Sequence, residues 1–143
     1  MHVLVGGRDA VGVPVADLAR SVGFVFQDPD TQLTGVTRTV YEEVAFGPRV
    51  LGAPHRLAHE KARQALESVE LEALDRVHPG DLPPQTQRLV AIAAALASEP
   101  PVLILDEPTA GQDLEGKRRI AAAITHQRTR GCAMVITHDL DFA

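Results

Sequence analysis

The spacing of apolar positions changes several times along the chain, and each change predicts an element. Met1 to Asp9 (MHVLVGGRD) reads as the end of a strand entering a Gly-Gly turn, and Val22 to Phe26 (VGFVF) as a second short apolar strand. Gln27 to Gly35 (QDPDTQLTG) is a polar loop. In Val36 to Phe46, the residues Thr39, Glu42 and Glu43 alternate with Val40, Val44 and Phe46 at helical spacing, and Pro48, Gly52 and Pro54 are expected to break that helix. His55 to Leu71 carries Leu57, Ala58, Ala62, Ala65, Leu66 and Val69 on one stripe, with Arg56, Glu60, Arg63 and Glu67 opposite, as an amphipathic helix does.

A loop rich in proline and glycine, His78 to Pro84, leads into a helix from about Gln85 to Ser98, which Pro100 and Pro101 end. Val102 to Leu105 is then an unbroken apolar strand. After Gly111, Asp113 can cap a helix reaching about Arg130, with Gly131 as its stop. A last strand, Ala133 to Thr137, presents His138 at its end. Strands alternating with helices imply an α/β fold with a parallel sheet, and the helices between Val36 and Ser98 form an inserted layer. The expected organisation is a single domain: residues 1–30 a partial core, 31–98 a helical subdomain, and 99–143 the rest of the core.

At 143 residues, 45% hydrophobic and 23% charged, the composition is that of one globular unit. The net charge of -5 comes without a basic cluster: lysine occurs only at Lys61 and Lys117, and aromatics make up 3% of the chain. Neither a phosphate-tracking groove nor a base-stacking platform is visible, so nucleic acid is not an expected partner. Cys132 is the only cysteine, which rules out an internal disulfide and suits a reducing compartment. The longest wholly apolar runs, Leu89 to Ala97 and Val102 to Leu105, fall short of the ~18 residues of a membrane span. The N-terminus lacks the pattern of a signal peptide. Membrane contact is therefore expected to come through a partner.

The chemistry concentrates in Val102 to Asp113, VLILDEPTAGQD, where an apolar strand ends on two adjacent carboxylates, Asp106 and Glu107. Buried adjacent acids repel each other unless a cation or a reaction needs them. A strand that delivers one carboxylate to magnesium and a second to an attacking water is how P-loop NTPases are built. Asp106 would hold the metal and Glu107 would act as general base.

From Val22 onward the sequence resembles the nucleotide-binding subunit of ATP-binding cassette transporters, and QDPDTQL with TVYEEVAFGP resembles the energy-coupling factor branch, which powers uptake of vitamins and of metal ions such as cobalt or nickel. The resemblance implies a P-loop NTPase-like (RecA-like) parallel sheet with an inserted helical subdomain, ATP and Mg2+ as ligands, and a cytoplasmic position on the inner face of the membrane. It implies that Gln27 reaches the magnesium and senses the γ-phosphate, and that His138 is the switch histidine. Asp113 is the aspartate of the loop that crosses the dimer, where Gln112 replaces the usual leucine. It also implies a homo- or heterodimer with another such ATPase, and an integral membrane subunit contacted through Thr39 to Pro48.

Three departures qualify that picture. The phosphate loop G-x-x-x-x-G-K-[ST] of the family lies upstream of the strand that begins this chain, and Met1 falls after it, so the chain reads as truncated. Leu82 to Arg88 (LPPQTQR) stands where LSGGQ, a basic residue and QR are expected, one residue short and with Pro83 and Pro84 in place of serine and glycine. Proline offers no N–H to a phosphate. The chain also stops shortly after the switch histidine. Independent catalysis by this chain is accordingly not expected. A non-catalytic remnant or regulatory module that retains a docking surface is the alternative. A DNA-repair relative of the same ATPase class is disfavoured by the acidic charge and the EEVAFGP segment.

Two decoys are rejected. Gly111 to Lys117 (GQDLEGK) has phosphate-loop spacing, but Arg118 replaces the magnesium-binding hydroxyl, and Asp113 and Glu115 would repel a triphosphate. His55 and His59 are spaced i, i+4 without a third ligand, which reads as a solvated helix face.

Overall fold

A computed structural model describes residues 2–28 and 31–142; Met1, Ala143, and Pro29 and Asp30 of the QDPDTQL segment, lie outside them. The chain opens with two very short strands, β1 (Leu4–Val5) and β2 (Arg8–Asp9), paired antiparallel. Gly6 and Gly7 form the turn at φ of 56° and 77°, the left-handed pair that a two-residue hairpin turn requires. The expected single strand is thus a miniature hairpin. A one-turn helix, α1 (Val15–Leu18), follows, which no periodicity in the sequence announces.

The sheet proper consists of β3 (Val22–Val25), β4 (Val102–Asp106) and β5 (Cys132–Ile136), all parallel, in the order β3-β4-β5. Val25 lies opposite Leu105, and Asp106 opposite Ile136, so the carboxyl ends of all three strands are level. One face packs under helices: Val25, Leu103 and Leu105 are buried. The other face, with Phe24, Ile104, Met134 and Ile136, is half-buried to exposed, so β4 is buried on one side rather than both.

Four helices complete the fold: α2 (Val40–Val50), α3 (His55–Ser68), α4 (Pro84–Ala97) and α5 (Leu114–Arg128). The first begins four residues later than its apolar spacing suggests, because Thr39 caps it by accepting from Glu42 N–H at 3.1 Å. It also runs through Pro48 instead of ending there. Pro48 lies in the last turns, where its missing N–H costs one bond, and its own carbonyl accepts from Ala53 N–H at 2.9 Å. Glu43, expected on the polar side, is 3% exposed, while Phe46 is 40% exposed. The α3 stripe holds at Ala58, Ala62, Ala65 and Leu66, but Leu57 turns outward.

Apolar on nearly every side, α4 sits at the centre: Leu89, Val90, Ile92 and Ala93 join Val44, Leu66, Leu103 and Ile120 in one continuous hydrophobic cluster. Short 3-10 turns at Glu72–Leu74 and Pro79–Asp81 lie in the connection before it. The stop after α5 has a different cause from the one expected. Gly131 is not left-handed; a Cβ there would lie 2.1 Å from the Pro101 carbonyl oxygen, so only glycine permits this approach of β5 to the start of β4.

Candidate functional site

The level carboxyl ends of three adjacent parallel strands bring Gln27, Asp106 with Glu107, and His138 to one rim of the sheet. This is the rim at which open α/β sheets bind ligands. Glu107 has φ of 46°, left-handed for a residue with a side chain, and its N–H donates to the Ile136 carbonyl at 2.8 Å. That bond turns the chain sharply off β4 and directs the carboxylate toward β5. There Oε1 accepts from His138 N–H at 2.9 Å and Oε2 from the Thr137 hydroxyl at 3.3 Å. The Glu107 side chain is 15% exposed, whereas the His138 imidazole is 99% exposed, with Nε2 3.6 Å from Oε1. A shielded carboxylate beside an exposed imidazole can accept a proton while the imidazole faces outward.

Asp106 is half-buried, and its carboxylate has no side-chain hydrogen bond among the described residues. Gln27 is exposed at the neighbouring strand end. No group of three or more His, Cys, Asp or Glu that could hold a metal occurs among the described residues. One free carboxylate and one amide oxygen nevertheless fit Mg2+, which typically takes one or two protein oxygens and fills its shell with phosphate and water.

Asp113 stands apart from this cluster. Its Oδ1 accepts from Gly116 N–H at 2.7 Å, capping α5. The phosphate-loop decoy is consumed in the same way: Asp113 is in the cap, and Lys117 Nζ lies 2.6 Å from Asp139. Lys117 holds the Asp139 carboxyl below the usual carboxylate range and so ties the segment after His138 to α5. Of the decoy histidines, His59 pairs with the Tyr41 hydroxyl at 2.8 Å. At LPPQTQR, α4 starts on Pro84 with Pro83 before it, and the N–H groups of Thr86 and Gln87 donate to the Pro83 carbonyl at 2.9 Å each. Little donor capacity is left there for a phosphate.

Several residues of the site were not singled out from sequence. Gln32 extends the β3 ladder with its side chain: Nε2 donates to the Phe24 carbonyl at 2.7 Å, and Oε1 accepts from Phe26 N–H at 2.9 Å. The loop carrying Gln27 is thereby pinned to the sheet. Glu43 accepts from Thr34 N–H at 2.7 Å and from the hydroxyls of Thr34 and Thr37 at 2.7 and 2.5 Å, fixing the far end of the same loop to α2. Arg88 donates to the Glu107 carbonyl at 2.9 Å. The run of hydroxyl residues Thr34, Thr37 and Thr39 ahead of two glutamates is the signal that could have exposed the Glu43 arrangement.

A groove of about 200 Å3 opens between this loop and the helices, lined by Phe24, Leu33, Phe46, Gly47 and Ala94 among others. It includes Glu43, Phe46 and Gly47, three residues of the Thr39 to Pro48 segment. No helix among the described residues is long and apolar enough to cross a membrane.

The family model described as ABC transporter matches residues 2–110. Over 128 residues the chain is 38% identical to the energy-coupling factor transporter ATP-binding protein EcfA of Methanocaldococcus jannaschii, covering 89% of this chain and 45% of that protein. It is 41% identical over 128 residues to the cobalt import ATP-binding protein CbiO of Syntrophus aciditrophicus, with coverage of 89% and 45%. The solved structure of cbiO1 from Clostridium perfringens, described as part of the ABC transporter complex cbiONQ, matches with a TM-score of 0.82 at 35% identity, covering 98% of this chain and 57% of that one. The chain spans about half the length, or less, of curated relatives it matches: 45% of each of the two above.

Proposed function

The chain belongs to the ABC transporter family, and from that premise we propose that it supplies the hydrolytic half-site of an energy-coupling factor type importer, which couples ATP binding and hydrolysis to uptake of a vitamin or metal ion. The observation that carries this reading is the shared rim of Gln27, Asp106, Glu107 and His138. Glu107 polarises the attacking water and accepts its proton: the Thr137 hydroxyl and the His138 N–H orient the carboxylate from behind, so its remaining lone pairs can face the water. The exposed imidazole of His138 hydrogen-bonds the terminal phosphate. Asp106 and Gln27 would hold Mg2+, which when bound neutralises charge developing on the transferred phosphoryl group.

In the proposed organisation residues 31–98 act as a helical subdomain, and the cassette works as a dimer whose interface includes Asp113. The groove beside Phe46 receives the membrane subunit, which places the protein on the cytoplasmic face of the membrane. The test is ATP turnover by the full-length natural protein: Glu107→Gln should lower it about 10²–10⁴-fold while nucleotide affinity is kept. Unchanged turnover would remove Glu107 from its role.

One observation favours a second reading, a docking module without hydrolysis of its own. Pro83 and Pro84, together with the use of Lys117 in an ion pair and of Gly116 N–H in the cap on Asp113, leave these 143 residues poor in phosphate donors. Absence of any turnover in the full-length wild-type protein, with retained binding to a membrane subunit, would favour it.

A further inference from the structure

Burying a charged side chain is costly unless hydrogen bonds or an opposite charge compensate it. Glu43 meets that condition with three donors. Arg88 meets it less well: the residue is 9% exposed, and its Nε has no hydrogen-bond partner among the described residues. Desolvation pulls the guanidinium below its usual pKa, and the charge of Asp28 opposes that pull. Packing alone would be served better by leucine or methionine. Among the described residues, its hydrogen bond to another element runs from Nη1 to the Glu107 carbonyl at 2.9 Å.

Glu107 is where such a bond is needed. At φ of 46° its backbone is strained for a residue with a Cβ, and such conformations persist only when surrounding contacts hold them. Its N–H is held by β5 and its carboxylate by Thr137 and His138, all on the sheet side. The carbonyl accepts from Ala110 N–H at 3.1 Å within the turn and, from the helical side, receives a charged donor, stronger than that neutral one. We propose that Arg88 is a positioning residue: from α4 it fixes the Glu107 peptide in its left-handed conformation and so keeps the carboxylate on the His138 N–H. The significance of this rests on the reading of Glu107 as the water-activating base.

The position of the carboxylate can be read without nucleotide, as hydrogen exchange of the His138 amide in the whole chain. Arg88→Met should speed that exchange roughly tenfold or more while Val90, Leu103 and Leu105 keep their protection, and Arg88→Lys should recover part of the loss. Equal loosening of all four amides would assign Arg88 to core stability and overturn the proposal, as would an unchanged His138 amide. Failure of both variants to fold would overturn it for the same reason. If His138 loosens selectively yet full-length Arg88→Met hydrolyses ATP normally, the positioning stands and the role of Glu107 as base falls.

Discussion

Glu43 shows how much one side chain can organise. Three donors from Thr34 and Thr37 converge on its buried carboxylate, so Glu43→Ala would orphan a backbone N–H and two hydroxyls in a half-buried setting. A loss of about 2–3 kcal/mol in a urea titration is expected, with the loop carrying Gln27 loosened. A change under 0.5 kcal/mol would show that water replaces the carboxylate at no cost. The sequence placed Glu43 on the wrong side of its helix because helical spacing separates apolar from polar residues and cannot recognise a carboxylate whose partners come from another segment. Asp106, Glu107 and His138 could be singled out for the opposite reason: the two acids close one short apolar strand, the histidine comes two residues after another, and adjacent acids at a strand end have few alternative chemistries. Arg88 and Gln32 were not, since a buried arginine and a side chain that mimics a strand look like surface polar residues until their acceptors are placed.

At the scale of elements, the helices with a dense apolar pattern were found nearly to the residue: Pro84–Ala97 against an expected Gln85 to Ser98. Where a cap or a tertiary contact decides, periodicity misses. Thr39 starts α2 later than its spacing, Pro48 fails to stop it, and Gly131 serves a close approach and not a cap. The α3 and α5 helices are joined by charge: Arg118 lies 2.7 Å from Glu115 and 2.6 Å from Glu70, which follows the α3 cap residue Val69. Hydrogen bonding to Arg118 draws the Glu115 carboxyl down to about 2. A carboxyl lowered on folding stabilises above its unfolded value near 4.5, and the contribution is lost as pH falls toward 2. The Glu115 titration followed by NMR should therefore move back toward its ordinary value in Arg118→Met. A midpoint unchanged by that substitution would show that the pair does not persist in solution.

For the whole molecule, the alternation of strands and helices gave the α/β class and the parallel sense, but strand order was beyond reach. Pairing β3 with β4 joins residues some eighty positions apart in the chain, and no local signal records which strand neighbours which. The order β3-β4-β5 leaves β5 at the edge of the described sheet, with Met134 57% and Ile136 49% exposed. Unpaired edges with apolar side chains invite pairing. The 143-residue chain should accordingly self-associate in sedimentation as its concentration rises, and Met134→Lys should raise the monomer fraction. A wild-type chain that stays monomeric throughout would count against an open edge. The central claim is that the carboxyl ends of the three strands form the nucleotide rim. Binding of Mn2+-ATP to the full-length natural protein, read as paramagnetic broadening of backbone amides, tests this most directly. Broadening should be greatest at Gln27, Asp106, Glu107 and His138 and slight at the opposite strand ends, Val22, Val102 and Cys132; equal or stronger broadening at Val22, Val102 and Cys132 would contradict it.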